Sequence, residues 1–240
     1  PLYEENGMAL LKTHYYGGIR KYQWPTLPLA LYGTVVTAAG KQIEICIGDQ
    51  AGDPVFCITD LLPHLGKDQS AKPLAEAIGG EDLNALCGTE PCPDVQGEEA
   101  IKLNVLRLLQ EKYGLTETDL ITSELCLVPA FSARDVGLDR SLIGAYGHDD
   151  RVCAYPMLRA LLECSAPRNT VYAVLADKEE TGSNGVSGMQ CDILTDLLED
   201  LSLACGANPR AVRAASACLS ADVNAAYDPN FASVYDRSEE

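Results

Sequence analysis

Two adjacent glutamates that follow an apolar run are the residues of this sequence best placed to do chemistry. The apolar run is 171–176 (VYAVLA), and the acidic segment 177–183 (DKEETGS) follows it and closes on a glycine turn. The run predicts a buried strand, and ligands of α/β proteins bind beyond the carboxyl ends of strands. Because neighbouring side chains point to different sides of the backbone, Glu179 and Glu180 can serve a cation and a water or substrate separately. A solvated acidic loop is the alternative interpretation.

Two further acidic sites stand in comparable positions. Asp149 and Asp150 lie just before a helical pattern, and Asp222 follows the apolar run 212–219. If the three sites converge on one edge of a sheet, their oxygens suit hard or borderline cations, and zinc also accepts carboxylate oxygen. The alternatives are a helix N-cap for Asp149 and Asp150, because helix N-termini favour acids, and a turn residue for Asp222.

The elements that must position these residues change in character along the chain. The front is β-rich and contains, in order, a hairpin over 29–36 and 41–47 and a strand over 55–58. A polar segment over 67–97 with few apolar anchors follows and predicts a long mobile excursion. An amphipathic helix over 99–113 then ends at Gly114.

Behind this helix, strands and helices alternate. The pattern predicts strands over 124–128, 171–176 and 212–220, and helices over 151–164 and 193–201. Such an order predicts an α/β fold with a mostly parallel sheet and covering helices. The change of character places a domain boundary near residue 123.

The composition limits the classes of function. The chain has 240 residues and a formal net charge of -17, which argues against a nucleic-acid partner because phosphate binding needs clustered Lys and Arg. No apolar stretch reaches the length of a membrane span, and the start lacks a signal-peptide pattern, so no membrane partner is expected. The ten cysteines are scattered through apolar or helical runs, which is typical of reduced cysteines and favours a cytoplasmic location.

Several motifs, in order, resemble one known family. They are the opening residues 1–4 (PLYE) and 13–18 (THYYGG), then 144–155 (GAYGHDDRVCAY), 177–183 (DKEETGS) and 220–223 (SADV). Together they are similar to the aspartyl aminopeptidase / vacuolar aminopeptidase I family of dizinc exopeptidases. The resemblance covers essentially the whole chain.

The resemblance implies a domain organisation. It implies a zinc-exopeptidase-like α/β catalytic domain, formed by residues 1–10 and 124–240 and incomplete at both ends. A β-rich dimerisation domain, residues 11–123, interrupts it. It further implies self-association as dimers, which in the family often build dodecamers.

The resemblance also implies roles for single residues. Asp149 matches the carboxylate that bridges two zinc ions and is followed by a cis peptide, Glu180 matches a terminal zinc ligand, and Asp222 matches a ligand of the other zinc. Glu179 matches the general base. Two metals about 3.5 to 4 Å apart would share a water, and a free α-amine held nearby would make peptides the substrates of an aminopeptidase.

The histidines of the chain do not match the family's metal-binding histidines. One of those belongs to a His-x-Asp motif expected upstream of Pro1, and the other is expected beyond Glu240, so the chain is expected to be an internal piece. His148 is next to Asp149, but adjacent side chains diverge. His14, in a segment rich in Gly and Tyr, is a candidate to touch substrate, with a structural role as the alternative.

Two other functions compete with a zinc aminopeptidase. A Mg²⁺-dependent phosphohydrolase would need a phosphate-binding loop with a lysine, and residues 182–185 (GSNG) lack one. A catalytically incomplete fragment would act only as an oligomerisation or interaction module. The metal content of the purified chain separates that module from an enzyme.

Overall fold

The chain forms two compact units. A computed structural model describes residues 1–15 and 17–235, and it divides into Pro1–Tyr146 and Gly147–Glu240. In the described ranges, no helix has both the length and the apolar character needed to cross a membrane.

The first unit is built on a seven-stranded antiparallel sheet. Among the described residues its strands are β1 (Leu2–Glu5), β2 (Met8–Leu11), β3 (Pro28–Val36), β4 (Gln42–Ile47), β5 (Phe56–Ile58), β6 (Ala85–Gly88) and β7 (Ser123–Pro129). The strand order is β1-β2-β6-β5-β3-β4, and β7 also pairs with β3. A separate hairpin consists of β8 (Arg134–Val136) and β9 (Leu142–Gly144).

Strand β3 joins the parts of the sheet. Its start pairs with β5 and its remainder with β4, while β7 runs along the opposite edge. Gly33 allows this close approach, because it has φ +146° and an added Cβ would collide with the carbonyl of Glu124 in β7. Leu29 and Val35 of the same strand are fully buried.

The helices are α1 (Lys67–Ser70), α2 (Ala100–Tyr113), α3 (His148–Glu163), α4 (Ile193–Ala204) and α5 (Pro209–Ala215). Helix α2 ends as expected at Gly114, whose φ of +71° is the left-handed conformation of a helix C-cap. At its start, one Oε atom of Glu4 in β1 accepts hydrogen bonds from the backbone N–H groups of Ile101 and Lys102, each at 2.9 Å. A strand side chain therefore satisfies two free donors of this helix.

The apolar core lies in the first unit. Every buried apolar side chain of the described residues falls between Leu2 and Leu115. These side chains form three clusters along the sheet: one around Leu29, Ile58, Ile78, Leu83 and Ala85, one around Leu31, Val35, Ile45, Ile47 and Leu115, and one around Leu2, Ala9 and Ile101.

The mixed α/β class and most front elements are confirmed, but several predictions are corrected. The segment 67–97 is not the long mobile excursion that was predicted, because it contributes β6 to the sheet and places Ile78 and Leu83 in the core. Its apolar residues are few and widely spaced, so composition concealed them. Strand 124–128 exists as β7, but it pairs with β3 in the antiparallel sheet.

The predicted parallel sheet is not observed among the described residues. Residues 171–176 form no strand, and the nearest parallel pairing is an isolated bridge between Asp177 and Gly188. The predicted strand 212–220 begins instead inside α5, because Asn208 accepts hydrogen bonds from the N–H groups of Arg210 and Ala211 and Pro209 occupies the first turn. The sheet of the chain is mostly antiparallel.

The compact units divide after Tyr146 rather than near residue 123. Strand β1 and, apart from Leu11, strand β2 lie in the segment predicted to be catalytic, and both belong to the same sheet as β3, β4, β5 and β6 from the predicted insertion. The assignment of residues 1–10 and 124–240 to a catalytic domain and 11–123 to a dimerisation domain stays a prediction, and Tyr16 and residues 236–240 lie outside the described residues.

Candidate metal centre

The start of α3 positions the first two carboxylates of the candidate site. The helix begins at His148, after Gly147 in the left-handed region. Asp149 departs from helical geometry, with φ -80° and ψ 108°, and the Asp149–Asp150 peptide is cis, as the family resemblance implies. No side chain caps this helix, so neither aspartate has the N-cap role that was the alternative interpretation.

A tight turn positions the two glutamates. Residues Glu179–Thr181 form one 3₁₀ turn between Lys178 and Gly182, both in the left-handed region. The carbonyl of Lys178 accepts hydrogen bonds from the N–H of Thr181 and of Ser183, and the hydroxyl of Thr181 also donates to it. These bonds fix the backbone that carries Glu180.

The loop after this turn folds back onto it. The hydroxyl of Ser187 donates to Asp177 Oδ2 at 2.8 Å, and Gly188 is buried against the backbone of Ser183. A Cβ at Gly188 would overlap that backbone, so the close return requires glycine. The carboxylate of Asp177 thus binds a hydroxyl of its own loop.

Three carboxylates meet in the second unit. One oxygen from each of Asp149, Asp150 and Glu180 lies within 4.8 Å of the other two. Asp149 and Glu180 are exposed and Asp150 is partly buried. The arrangement brings three oxygen donors close enough to bind one divalent cation, and carboxylate oxygen is a ligand that zinc and harder cations accept.

The electrostatics of this group raise the pKa of Asp149 to about 6. A hydrogen bond with Asp150 is the largest cause, followed by partial desolvation and then by the negative charges of Asp150, Glu180 and Asp222. A carboxyl surrounded by carboxylates keeps its proton to higher pH, because a second negative charge beside others is unfavourable. A cation at this position would replace the proton as the compensating positive charge.

The structure brings some of the predicted residues together and leaves others apart. Asp149 and Glu180 belong to the three-carboxylate group, whereas exposed Asp222 lies outside it and acts on Asp149 through its charge. Asp222 Oδ1 accepts a hydrogen bond from the N–H of Val223 at 2.7 Å. Glu179 is exposed at the start of its turn and is not part of the group. The metal roles of Asp149, Glu180 and Asp222 and the catalytic role of Glu179 stay predictions.

Asp150 is the residue of the group that the sequence reasoning did not select. The sequence analysis named Asp150 with Asp149 as one acidic site, but the family resemblance assigns a metal role only to Asp149. In the structure the Asp149–Asp150 peptide is cis and Asp149 is non-helical, and the two neighbouring carboxylates lie in the same group.

The histidines lie outside the three-carboxylate group. His148 is the first residue of α3, and in the described part of the chain no imidazole joins the group. His14 lies in the first unit, where its ring stacks near Tyr15 at 6.3 Å between centroids. Its predicted contact with substrate stays a prediction.

The chain matches known proteins along its whole length. The model of one family, described as aminopeptidase I zinc metalloprotease (M18), matches residues 1–240. A probable M18 family aminopeptidase 1 from Clostridium acetobutylicum is 44% identical over 241 residues, which cover 99% of this chain and 52% of that protein. The solved structure of an M18-family aminopeptidase from Thermotoga maritima is 45% identical with a TM-score of 0.90, and the match covers 98% of this chain and 53% of that one.

A more distant solved structure has the same fold. The mApe1 dodecamer of Saccharomyces cerevisiae is 23% identical with a TM-score of 0.70, and the match covers 98% of this chain and 52% of that one. The chain thus spans about half the length of the relatives it matches. Because the family model covers every residue of the sequence, the chain belongs to the aminopeptidase I zinc metalloprotease (M18) family.

Proposed function

We propose that this chain carries part of the centre of a zinc-dependent aminopeptidase that removes N-terminal amino acids from peptides. The observation that carries the proposal is the convergence of Asp149, Asp150 and Glu180 within 4.8 Å in a chain of the M18 family. The family description names a zinc metalloprotease, which supports zinc as the metal. Two zinc ions per complete site remain part of this proposal.

In this proposal, three residues of the chain bind metal and a fourth transfers a proton. Asp149 would bridge the ions, Glu180 would be a terminal ligand, and Asp222 would bind the second ion. Bound zinc would acidify a water and polarise the scissile carbonyl. Glu179 would accept the proton of that water and return it to the leaving amine, as a general base within hydrogen-bond reach does.

Asp150 has a distinct proposed role. Asp150 interacts with the Asp149 carboxyl and raises its pKa, and this interaction would hold the orientation of the proposed bridging carboxylate. Carboxylate ligands are commonly oriented by a second hydrogen-bonded group, and losing that group weakens metal binding. Asp150 would therefore position Asp149 in the assembled centre. It would not bind the metal itself, because the family resemblance assigns the ligand roles to other residues.

A catalytically incomplete interaction module is the second candidate. One observation favours it: the carboxylate group of the described residues includes no histidine, and zinc sites usually combine oxygen with nitrogen or sulfur ligands. In that case the chain would contribute to assembly. Self-association as a dimer or as a dodecamer, through residues 11–123, remains a proposal, supported by the fold it shares with a dodecamer. A cytoplasmic location is likewise a proposal.

The test measures zinc content and hydrolysis together. The purified chain and the gene product that contains it are loaded with zinc and given amino-acid anilides with free or acetylated α-amines. The proposal predicts zinc binding by both proteins and, by the complete protein, hydrolysis restricted to free amines. Hydrolysis of acetylated substrate at an equal rate, or no zinc in the complete protein, contradicts it.

Two variants of the complete protein separate the roles. Glu179→Gln is expected to keep zinc and lose hydrolysis. Glu199→Gln serves as the matched control, because Glu199 is exposed on α4 and lies outside the group. Loss of hydrolysis in both variants contradicts the proposed role of Glu179.

A further inference from the structure

The turn that carries Glu179 and Glu180 is followed by a segment that folds back onto it. We call this segment, residues 183–190, the return loop. Its Gly188 forms an isolated parallel bridge with Asp177 and is buried against the backbone of Ser183. The proposed metal-binding and proton-transfer roles involve no residue of the return loop, although it touches both ends of the turn.

The side chain of Ser187 fastens the return loop to the start of the turn. Its hydroxyl donates to Asp177 Oδ2 at 2.8 Å, and Asp177 stands two residues before Glu179. This hydrogen bond is the largest cause that lowers the pKa of Asp177, so the acceptor is a carboxylate. Hydrogen bonds to a charged acceptor are stronger than those between neutral groups. The start of the turn is therefore held by a charge-assisted bond.

Gln190 fastens the other end of the return loop to the end of the turn. Its Nε2 donates to the carbonyl of Gly182 at 2.6 Å, and its backbone N–H donates to the carbonyl of Ser183 at 3.1 Å. Gly182 stands two residues after Glu180 and has a φ of +87°. The side chain of Gln190 thus holds the backbone at the point where the turn ends in the left-handed region.

The two side chains hold the turn from both sides of its glutamates. We propose that Ser187 and Gln190 are positioning residues of the candidate metal centre, which fix the backbone of the turn so that the carboxylate of Glu180 stays in place to bind zinc. This inference rests on the proposed function, because it takes Glu180 as a zinc ligand. Neither residue would touch the metal. Groups that orient a metal ligand raise metal affinity because they restrict the ligand to the geometry of the bound state.

A positioning role and a merely structural role differ in what a substitution changes. Ser187 and Gln190 are both exposed, so loss of either hydrogen bond should change the stability of the metal-free fold only modestly. Zinc affinity, by contrast, depends directly on the place of the Glu180 carboxylate. The two quantities are measured separately, by calorimetric titration with zinc and by thermal unfolding of the metal-free protein.

The test compares two variants of the complete protein with two matched controls. Gln190→Met removes the donor with little change in side-chain length, and Ser187→Ala removes the hydroxyl. Gln69→Met and Ser70→Ala remove the same groups from α1 of the first unit, where Gln69 donates to Asp60 at 3.0 Å and Ser70 to the carbonyl of Gly66 at 2.9 Å.

Gln190→Met and Ser187→Ala are each expected to weaken zinc binding by roughly 10- to 100-fold, the range for lost outer partners of a metal ligand. Both controls should bind zinc like the unaltered protein, and the metal-free unfolding midpoints of both pairs should agree. Either return-loop variant binding zinc as tightly as its control would overturn the role of that residue. A loss of zinc affinity that is matched by a lowered metal-free midpoint would show a structural role only.

Glu180→Gln separates failure of this inference from failure of the proposed function. If the unaltered complete protein binds no zinc, or binds it equally well with Glu180→Gln, the proposed function fails and the inference fails with it. If zinc binding depends on Glu180 but not on Ser187 or Gln190, the proposed function stands and only the positioning role is overturned.

Discussion

Asp149, at the start of α3, and Glu180, in the turn after residues 171–176, place carboxylate oxygens within 4.8 Å of each other. Neither residue is near the other in sequence, so the fold of the second unit creates the pair. Carboxylates at this separation repel each other unless a proton or a cation lies between them. The pair is therefore the point at which metal binding, proton binding and folding are linked.

Zinc affinity is expected to fall as the pH is lowered through about 6, the pKa of Asp149, because the hydrogen bond with Asp150 and the nearby charges favour the protonated carboxyl. Binding requires the carboxylate, so protons compete with the metal. Calorimetric titration of the chain between pH 5 and 7.5 measures this, and the same affinity at both ends contradicts it.

Without metal, the stability of the fold is expected to depend on pH in the opposite direction to the zinc affinity. The pKa of Asp149 in the folded chain, about 6, lies above the value of about 3.9 for an unfolded aspartate, so folding favours the protonated form. The stability that this group contributes is fully present below that unfolded value and is lost as the pH rises through about 6. Asp149→Asn should remove this part of the pH dependence in urea unfolding, whereas Asp196→Asn on α4 should retain it.

The two adjacent glutamates should give different phenotypes in the complete protein. Glu180→Gln should weaken zinc binding by more than about 100-fold, since loss of a ligand exceeds the effect of losing an outer partner. Glu179→Gln should retain zinc and lower kcat by about 10² to 10⁴-fold, the range of general acid–base catalysis. Metal analysis and anilide hydrolysis measure both, and the reverse pattern would exchange the two roles.

Gly33→Ala should destabilise the first unit by about 1–3 kcal/mol or more, because its Cβ would collide with the backbone of Glu124 and force β3 and β7 apart. Gly7→Ala is the matched control, with a positive φ of +78° but nothing within 4 Å of its added Cβ. Urea unfolding should show a clearly larger loss for Gly33→Ala, and equal losses would mean that the approach of β7 is not tight.

Glu4→Gln should destabilise α2 by about 1 kcal/mol, since the carboxylate of Glu4 accepts two hydrogen bonds at the helix N-terminus and interacts favourably with its dipole. Glu5→Gln, an exposed neighbour in the same strand, should have little effect. Thermal unfolding of the two variants provides the comparison, and equal midpoints would argue against the cap.

Local patterns predicted the front of the fold well. Period-two alternation indicated β3 and β4, and the apolar stripe with Gly114 indicated α2 and its end. Strand β6 was missed because three widely spaced apolar residues, Ile78, Leu83 and Ala85, anchor an otherwise polar segment. Their burial depends on strands far away in sequence, which local composition does not report.

The rear of the chain was predicted less well for a different reason. The apolar run 171–176 has the composition of a buried strand, but a strand requires neighbours, and the described chain supplies none for it. At 212–220, the cap formed by Asn208 and Pro209 overrides an apolar run that resembles a strand. Asp149 and Glu180 were selected because they match motifs of the family. The place of Asp150 in the same group depends on local backbone geometry, which the sequence does not report.

The central claim is that Asp149 and Glu180 hold the zinc of an M18 aminopeptidase centre. Anomalous diffraction at the zinc edge from crystals of the complete, zinc-loaded protein tests it most directly. The account predicts a peak with oxygens of Asp149 and Glu180 at about 2.0–2.2 Å. A zinc peak bound elsewhere, with neither carboxylate coordinated, would contradict it.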